Sequence, residues 1–432
     1  MTPSLLRLLE ATSTLLGEND NYTQPYSDPM RLDQLLEIRE PLEHRGNFSI
    51  ILDHVINRLL APRTIKLVKH RISRLNHKLV TIGIDSSSRS IDLSHGSLII
   101  GAATLTIGST HTIEYPSLSS TELNLQGPGF LIPLLPHEIP SANNPIIITK
   151  NPAGYNYNAA YSIEQAQDEL RLLLENWLLD KVAPTIIEEL ADRIDIQPVV
   201  LVDGPVYPLT MAHEKYHEYK NEYTESWQQL LITRLQAIHR LEAKGVPVIG
   251  VVKRLEHSLI LDRVVKGSPR LSQCFRKGGE YSDQKILAHY YTHCTRIVPG
   301  SIYSSPKITF LYSKKTNQPY VKILEYTAIP AGKWQHSLVP RTYRLEYTES
   351  TSNILGELKL SAYHILAYDS VLRGSTTPVS IHVSDYRSKH ISRAIHDYLA
   401  SRIVESGGSL SYDNLLEAEA SWRKTRRISA HY

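Results

Sequence analysis

Two apolar runs in this sequence each lead into an aspartate. The first reads Leu-Val-Thr-Ile-Gly-Ile and reaches Asp85, and the second reads Val-Val-Leu-Val and reaches Asp203. Both have the length and β-branched content of buried strands, and both aspartates precede turn-forming residues. A carboxylate at the end of a buried strand is held rigidly while its oxygens reach solvent or a metal ion. We therefore expect one shared acidic site at the edge of a sheet, as in metal-dependent nucleases.

A third carboxylate is expected on the helix between these strands. A phosphodiesterase that uses two cations needs several carboxylates, because the ions lie about 3.5–4 Å apart and must be neutralised. Their hard oxygens suit Mn²⁺ or Mg²⁺. Glu175 fits best, since its helical neighbours are apolar and a buried carboxylate needs a partner or a metal. Glu169 is the second candidate, and the alternative for Glu175 is an ion pair with Arg171 one turn away.

Two further residues could complete the site. Asp385 precedes the last predicted helix and is the candidate fourth ligand, although an acidic residue at a helix N-terminus is also stabilised by the helix dipole. Lys253 ends the last predicted strand of the core, where it could hold the scissile phosphate. The alternative for Lys253 is an ordinary salt bridge at the end of a strand.

Several basic residues are candidate contacts to the phosphates of DNA, because such charges supply most non-specific DNA affinity. Those before the first strand recur at helical spacing, which predicts one basic helix face; a face that is merely solvated is the alternative. The candidates are Lys66, Lys69, Arg74, Arg89 and Arg254.

One competing motif must be considered. His213-Glu214-Lys215-Tyr216-His217 is a formal HExxH sequence, which on a helix places two histidines one turn apart for zinc. A zinc-peptidase helix is normally packed into a core, but the residues around this motif are polar. A solvated helix face is therefore favoured, and a zinc peptidase is the remote alternative.

The periodicity divides the chain into five regions. The pattern of residues 1–78 predicts helices. Residues 79–295 have the order β-β-β-α-β-α-β, which predicts an α/β fold with a mixed sheet and helices on both of its faces. Residues 296–350 predict a β-hairpin insertion with one added strand. Residues 351–404 predict C-terminal helices that complete the site, and residues 405–432 form a basic tail.

Some element boundaries can also be predicted. The first core strand is expected to end at Asp85. The long helix that begins near Ser162 is expected to break or kink at Pro184. The C-terminal helices are expected at 353–366 and 385–404.

Bulk composition points to a protein of the cytoplasm. The 432 residues include 47 basic and 44 acidic ones, so DNA binding would have to come from local patches. Cys274 and Cys294 are the only cysteines and cannot form a disulfide framework, which fits a reducing compartment. No apolar run approaches the roughly 20 residues that span a bilayer, and the N-terminus lacks the order of a signal peptide.

Taken together, the candidate residues resemble the archaeal NurA nuclease family. The resemblance covers roughly residues 79–404 and rests on the order and spacing of short matches. These are Ile84-Asp85 with the following serines, Arg171 with Glu175, Leu201 to Pro205, Val251 to Lys253, and Pro378 to Asp385.

The resemblance implies a ribonuclease-H-like core and a manganese-dependent DNA nuclease with 5′–3′ exonuclease and single-strand endonuclease activity. It also implies a homodimer that works with the hexameric HerA ATPase in DNA end resection for double-strand break repair. Asp85, Glu175 and Asp203 then become metal ligands.

This chain departs from the family at three positions. Ser86 replaces the usual glycine, and the family's C-terminal tyrosine and histidine fall on Thr377 and Asp385. Aspartate can still bind a hard cation, so we expect a two-metal nuclease with Asp85 bridging both ions. The second hypothesis is a NurA-like ring partner of the ATPase with weakened or lost cleavage, and His382 and His390 are nearby substitutes for the missing histidine.

Overall fold

A computed structural model describes most of the chain between residues 68 and 405. The described residues are 68–71, 78–109, 111–117, 127–136, 144–191, 196–206, 220–262, 281–293, 301–304, 307–312, 320–329, 341–373 and 375–405. The predicted helices before residue 68, the HExxH motif at 213–217 and most of the basic tail lie outside these ranges.

Eleven strands of the described residues form one mixed sheet. The strands are β1 (Val68–Arg71), β2 (Lys78–Leu93), β3 (Gly96–Ile107), β4 (His111–Tyr115), β5 (Leu131–Leu134), β6 (Ile196–Asp203), β7 (Val248–Val252), β8 (Ser301–Ser304), β9 (Ile308–Tyr312), β10 (Tyr320–Ile329) and β11 (Arg341–Thr348). The strand order is β1-β8-β10-β11-β7-β6-β2-β3-β4, with β5 paired to β3 and β9 to β10.

The topology confirms the predicted mixed sheet. Strands β2, β3 and β4 form the antiparallel meander, and β2, β6 and β7 are parallel to one another. The predicted hairpin of β9 and β10 is present, and β11 joins β10 to β7. The hairpin therefore belongs to the same sheet as the strands that carry the candidate aspartates.

Seven α-helices are described along the chain. They are α1 (Ile163–Trp177), α2 (Ala183–Ala191), α3 (Lys220–Ala243), α4 (Asp283–His293), α5 (Glu349–Glu357), α6 (Ala362–Asp369) and α7 (Val379–Glu405). Helix α1 begins where predicted, with Ser162 as the residue that caps its N-terminus. The predicted helix at 353–366 is two helices, since Lys359 adopts a left-handed backbone conformation with φ of 54° between them.

The helices cover both faces of the sheet. Helix α1 packs on one face, where leucines of α1 lie against Gly101 of β3. Helix α7 packs on the opposite face, so close to β2 that a Cβ on Gly83 would lie 2.8 Å from the backbone nitrogen of Ile381. Apolar side chains fill the spaces between the layers. The last residue of β6, Asp203, and the residue after β7, Lys253, lie near Asp385 of α7.

Strand β2 does not end at Asp85 as predicted. It continues through the three serines to Leu93, because these residues pair with β3 in a long antiparallel hairpin. Only the parallel pairing with β6 stops here, at Ile84 opposite Val202. Asp85 therefore lies where β2 loses one of its two neighbours, which still leaves its carboxylate at an opening of the sheet.

The helix does not break at Pro184, which is also a correction. A π-helical turn at Leu178–Val182 joins α1 to α2, and the Ala183 N–H donates to the Leu178 carbonyl five residues earlier. Pro184 is thus the second residue of α2. Proline is tolerated there because the first turn of an α-helix does not need the N–H that proline lacks.

The predicted basic helix face is wrong for its central part. Lys69 lies in β1, which pairs antiparallel with β8. Pairing with a distant strand has overridden the local helical spacing, as tertiary context often does. Lys66 and Arg74 lie outside the described residues.

No helix within the described residues is both long enough and apolar enough to cross a membrane.

Candidate metal centre

Asp85 and Asp203 lie side by side, as the sequence predicts. Asp203 is the last residue of β6, and Gly204 turns the chain with φ of +100°, a conformation that favours glycine. Asp85 is on the adjacent strand β2, one residue beyond the last β2–β6 pair. Both strands are buried in the centre of the sheet, so the two carboxylates have a rigid base.

Asp385 completes a group of three carboxylates. Each of Asp85, Asp203 and Asp385 offers an oxygen, and these oxygens all lie within 4.8 Å of one another. Helix α7 begins at Val379, six residues before Asp385, so Asp385 is not the acid at a helix N-terminus that the sequence left open. The contact between α7 and β2 brings Asp385 to the strand ends.

Two lysines bind this acidic group. Lys253 follows β7, and its Nζ lies 2.6 Å from Asp203 Oδ2 and 4.0 Å from Asp385 Oδ2. Lys389 lies one helical turn beyond Asp385, with Nζ 2.6 Å from Asp385 Oδ1. Lys253 therefore forms the salt bridge that the sequence offered as the alternative, while lying beside the candidate ligands.

Glu175 approaches the site from the other face of the sheet. Its Oε1 accepts a hydrogen bond of 2.7 Å from Ser86, and its Oε2 lies 2.8 Å from Nη1 of Arg234 on α3. The structure does not bring Glu175 into the group of three carboxylates. The alternative pairing with Arg171 is wrong, because Arg171 pairs with Asp168 instead.

The site carries an excess of negative charge. Burial raises the pKa of Asp85 well above its usual value, and the charges of Asp203 and Glu175 raise it further. Burial also raises the pKa of Asp203, against the opposing effect of Lys253. Burial alone would lower the pKa of Lys253. The negative charges of Asp203 and Asp385 have the larger combined effect, so the pKa of this lysine is raised.

These features fit a divalent cation. Three convergent carboxylates supply hard oxygen donors of the kind that Mn²⁺ and Mg²⁺ prefer. Burial is the largest cause of the raised pKa values of Asp85 and Asp203, and repulsion from the neighbouring carboxylates raises both further. A bound cation would relieve this repulsion. Glu175 would join the set only through a change in its pairing with Arg234.

The other predicted residues lie further from the group. Glu169, the second candidate for the third ligand, is buried and accepts hydrogen bonds of 2.7 Å from Tyr157 and Tyr161. His382 and His390 are exposed on α7 and do not belong to the group of three. Thr377 accepts a hydrogen bond from Arg341.

The structure describes the side chains of two residues that the sequence predicts to contact DNA. Arg254 is exposed and directly follows Lys253 in the sequence. Arg89 lies in β2, and its Nε atom is buried. Lys69 lies in β1, and its side chain is not among those that the structure describes.

Three residues at the site were missed in the sequence. Lys389 could have been found, because it lies four residues after Asp385 and therefore on the same side of a helix. Ser388, whose hydroxyl donates to Asp85, belongs to a visible four-residue repeat of serines. Arg234 gave no local signal, because it pairs with Glu175 from a different helix, 59 residues away.

A family model called the NurA domain matches residues 79–327 of this sequence. The chain belongs to the NurA family. The matched region includes Asp85, Glu175, Asp203 and Lys253 but ends before Asp385. The sequence matches no curated protein.

Two solved NurA structures also resemble the chain. The NurA nuclease from Sulfolobus solfataricus is 13% identical, with a TM-score of 0.41 over 83% of this chain and 93% of that one. A NurA structure with manganese is 12% identical, with a TM-score of 0.39 over 92% and 98% of the two chains. Because these scores are low, membership of the NurA family rests on the domain match.

Proposed function

We propose that this NurA-family chain is a divalent-metal-dependent deoxyribonuclease that hydrolyses phosphodiester bonds. The observation that carries the proposal is the meeting of Asp85, Asp203 and Asp385, whose oxygens lie within 4.8 Å of one another. Such a group suits Mn²⁺ or Mg²⁺, the cations that phosphodiesterases use. Membership of the NurA family supports DNA as the substrate.

The residues have distinct roles in this proposal. Asp85, Asp203 and Asp385 hold the metal, with Glu175 as a further ligand once its carboxylate turns from Arg234. Divalent cations held there would supply a lower pKa for the attacking water and stabilisation of the leaving oxygen. Lys253 leaves Asp203 and binds the scissile phosphate, and exposed Arg254 binds the neighbouring DNA backbone.

Family membership supports the wider biological proposal. The chain would act as a 5′–3′ exonuclease and single-strand endonuclease in DNA end resection, as a homodimer bound to a hexameric HerA-type ATPase in the cytoplasm. A ribonuclease-H-like core remains a prediction for the meander and parallel strands around β2.

A nuclease assay tests the proposal. End-labelled single- and double-stranded DNA is incubated with the purified chain in Mn²⁺, in Mg²⁺ and in EDTA. We expect cleavage with metal and none in EDTA. The Asp85→Asn and Asp203→Asn variants should each cleave DNA more than about 100-fold more slowly than the wild type. Removing a residue that only hydrogen-bonds to a metal ligand costs up to about 100-fold in activity, and removing a ligand itself should cost more.

The control for this assay is Asp168→Asn, which removes an exposed carboxylate of α1 that pairs with Arg171. This variant should cleave like the wild type. Metal-independent cleavage, or full activity in Asp85→Asn, would contradict the proposal. A wild-type chain that binds Mn²⁺ but cleaves no DNA, with or without an ATPase partner, would instead support the inactive ring partner.

A further inference from the structure

Four serines recur at every fourth position of α7 and face β2. Each of these side chains is 0% exposed. They are Ser380, Ser384, Ser388 and Ser392. Because residues four apart lie on the same side of a helix, the serines form a continuous ridge. We call these four residues the serine ridge.

The serine ridge is hydrogen-bonded along its whole length. Ser380 donates from its hydroxyl to Asp369 Oδ2 at 2.6 Å, and Ser384 donates to the Gly83 carbonyl at 2.8 Å. The Ser392 hydroxyl lies 3.1 Å from both the Ser87 hydroxyl and the Lys389 carbonyl oxygen. The ridge therefore fixes α7 against β2 and against the end of α6 with polar contacts as well as close packing.

Ser388 differs from its neighbours because its partner is a candidate metal ligand. Its hydroxyl lies 2.8 Å from Asp85 Oδ2, and the competing acceptor, the Asp385 carbonyl one turn earlier, is 3.2 Å away. A hydroxyl has one proton to donate. The shorter distance and the charge of a carboxylate favour donation to Asp85.

This hydrogen bond restricts the Asp85 carboxylate. Asp85 is 6% exposed and sits among like charges, so its carboxylate could otherwise rotate away from Asp203 and Asp385. A donor from the same helix that carries Asp385 fixes the orientation of one ligand relative to the other. Hydrogen bonds to metal ligands typically contribute 10- to 100-fold to metal affinity.

We propose that Ser388 is a positioning residue that holds the Asp85 carboxylate in the orientation needed for divalent cation binding. This inference rests on the proposed function, because it takes Asp85 as a metal ligand. Only Ser388 of the serine ridge has this role. The other three serines of the ridge stabilise the packing of α7 without contacting a ligand.

Direct measurement of Mn²⁺ binding tests the inference without relying on cleavage. The amount of free Mn²⁺ is followed by electron paramagnetic resonance as the metal is titrated into the full chain. We expect Ser388→Ala to weaken Mn²⁺ binding by about 10-fold or more. Ser388→Thr keeps the hydroxyl and should bind Mn²⁺ like the wild type.

The matched control is Ser392→Ala. It removes a hydroxyl with the same burial on the same helix, but its partner Ser87 is not a ligand. Its Mn²⁺ affinity should equal that of the wild type, while thermal unfolding shows that both alanine variants are folded. Equal weakening in both variants would mean that the ridge acts only through packing, which overturns the inference.

The remaining outcomes separate the inference from the proposed function. Wild-type affinity in a folded Ser388→Ala variant overturns the inference and leaves the proposed function intact. Failure of the wild-type chain to bind Mn²⁺ overturns both. If Ser388→Ala does not fold, the folded Ser388→Thr variant provides the test. Weak Mn²⁺ binding by Ser388→Thr would overturn the inference, because a hydroxyl at this position would then not be sufficient to orient Asp85.

Discussion

Arg234 and Glu175 form a buried ion pair that joins two helices behind the acidic group. Arg234 Nη1 lies 2.8 Å from Glu175 Oε2, and its Nε donates to the Val206 carbonyl at 2.6 Å. The side chain of Arg234 is 1% exposed. Because Val206 belongs to the loop after Asp203, one guanidinium fixes both the helix of Glu175 and the end of β6.

Replacing Arg234 with Met should destabilise the protein strongly. The change leaves the Glu175 carboxylate buried without its partner, which typically costs about 3–5 kcal/mol in the free energy of unfolding. The control is Arg240→Met on the same helix. The Arg240 side chain is about half exposed where it pairs with Asp180, so this pair should contribute at most about 1 kcal/mol. Urea unfolding of both variants measures the difference.

The double variant Arg234→Met, Glu175→Gln separates the ion pair from packing. Since it no longer buries an unpaired charge, it should recover part of the stability that Arg234→Met loses. Equal stabilities of the Arg234→Met and Arg240→Met variants would show that the pair with Glu175 is not a determinant of stability.

Glu169 should make stability depend on pH. Burial raises the pKa of this carboxyl to about 7, from an ordinary value of 4.5. The folded state therefore retains a proton that the unfolded state loses above pH 4.5. The stability contributed by this proton is complete below pH 4.5 and is lost as the pH rises to about 7.

The Glu169→Gln variant removes this dependence. Between pH 4.5 and 7 the wild type should lose about 3 kcal/mol relative to Glu169→Gln, from about 1.4 kcal/mol for each unit of pKa shift. Denaturant unfolding at a series of pH values measures the difference. Parallel pH profiles for the two proteins would be the contrary result.

Gly83 should be intolerant of a side chain. A Cβ there would lie 2.8 Å from the backbone nitrogen of Ile381, so Gly83→Ala must push α7 from β2. Overpacking of this kind costs about 1–3 kcal/mol. Movement of α7 should also weaken Mn²⁺ binding, because Asp385 moves with the helix.

Gly356→Ala is the control for this change. Gly356 lies in α5, and a Cβ there meets no atom within 4 Å. Alanine should stabilise that helix by about 0.5–1 kcal/mol. A Gly83→Ala variant that is as stable as the wild type and binds Mn²⁺ normally would show that α7 can shift without cost.

Lys253→Met should separate metal binding from catalysis. Lys253 Nζ lies 2.6 Å from Asp203 Oδ2, so in the metal-free protein it competes with a cation for this carboxylate. Its removal should tighten Mn²⁺ binding, by about tenfold if the competition is worth about 1.4 kcal/mol. Cleavage at saturating Mn²⁺ should nevertheless slow, because the proposed phosphate contact is lost. Unchanged cleavage would remove Lys253 from the proposed mechanism.

The sequence was sufficient to predict the parts of the site that depend on local pattern. The apolar runs before Asp85 and Asp203 identified two central strands, and their aspartates meet as expected. The boundary at Asp85 was wrong because β3 pairs with the serines that follow it. A turn and a hairpin strand can share the same polar residues, and only the partner strand distinguishes them.

Features that depend on distant partners were not predictable. Glu175 was identified as a carboxylate on an apolar helix, but its partner Arg234 comes from another helix and not from the next turn. Lys69 belongs to a strand because β8 pairs with it. Asp385 reaches the other carboxylates only because α7 begins at Val379 and packs closely on Gly83.

The central claim is that Asp85, Asp203 and Asp385 bind one divalent cation between them. Crystals soaked in Mn²⁺ and measured at the manganese absorption edge test it directly. We predict an anomalous peak within ligand distance of all three carboxylates, with Lys253 displaced from Asp203. A map with no peak there, or a peak elsewhere while Lys253 remains on Asp203, would contradict the account.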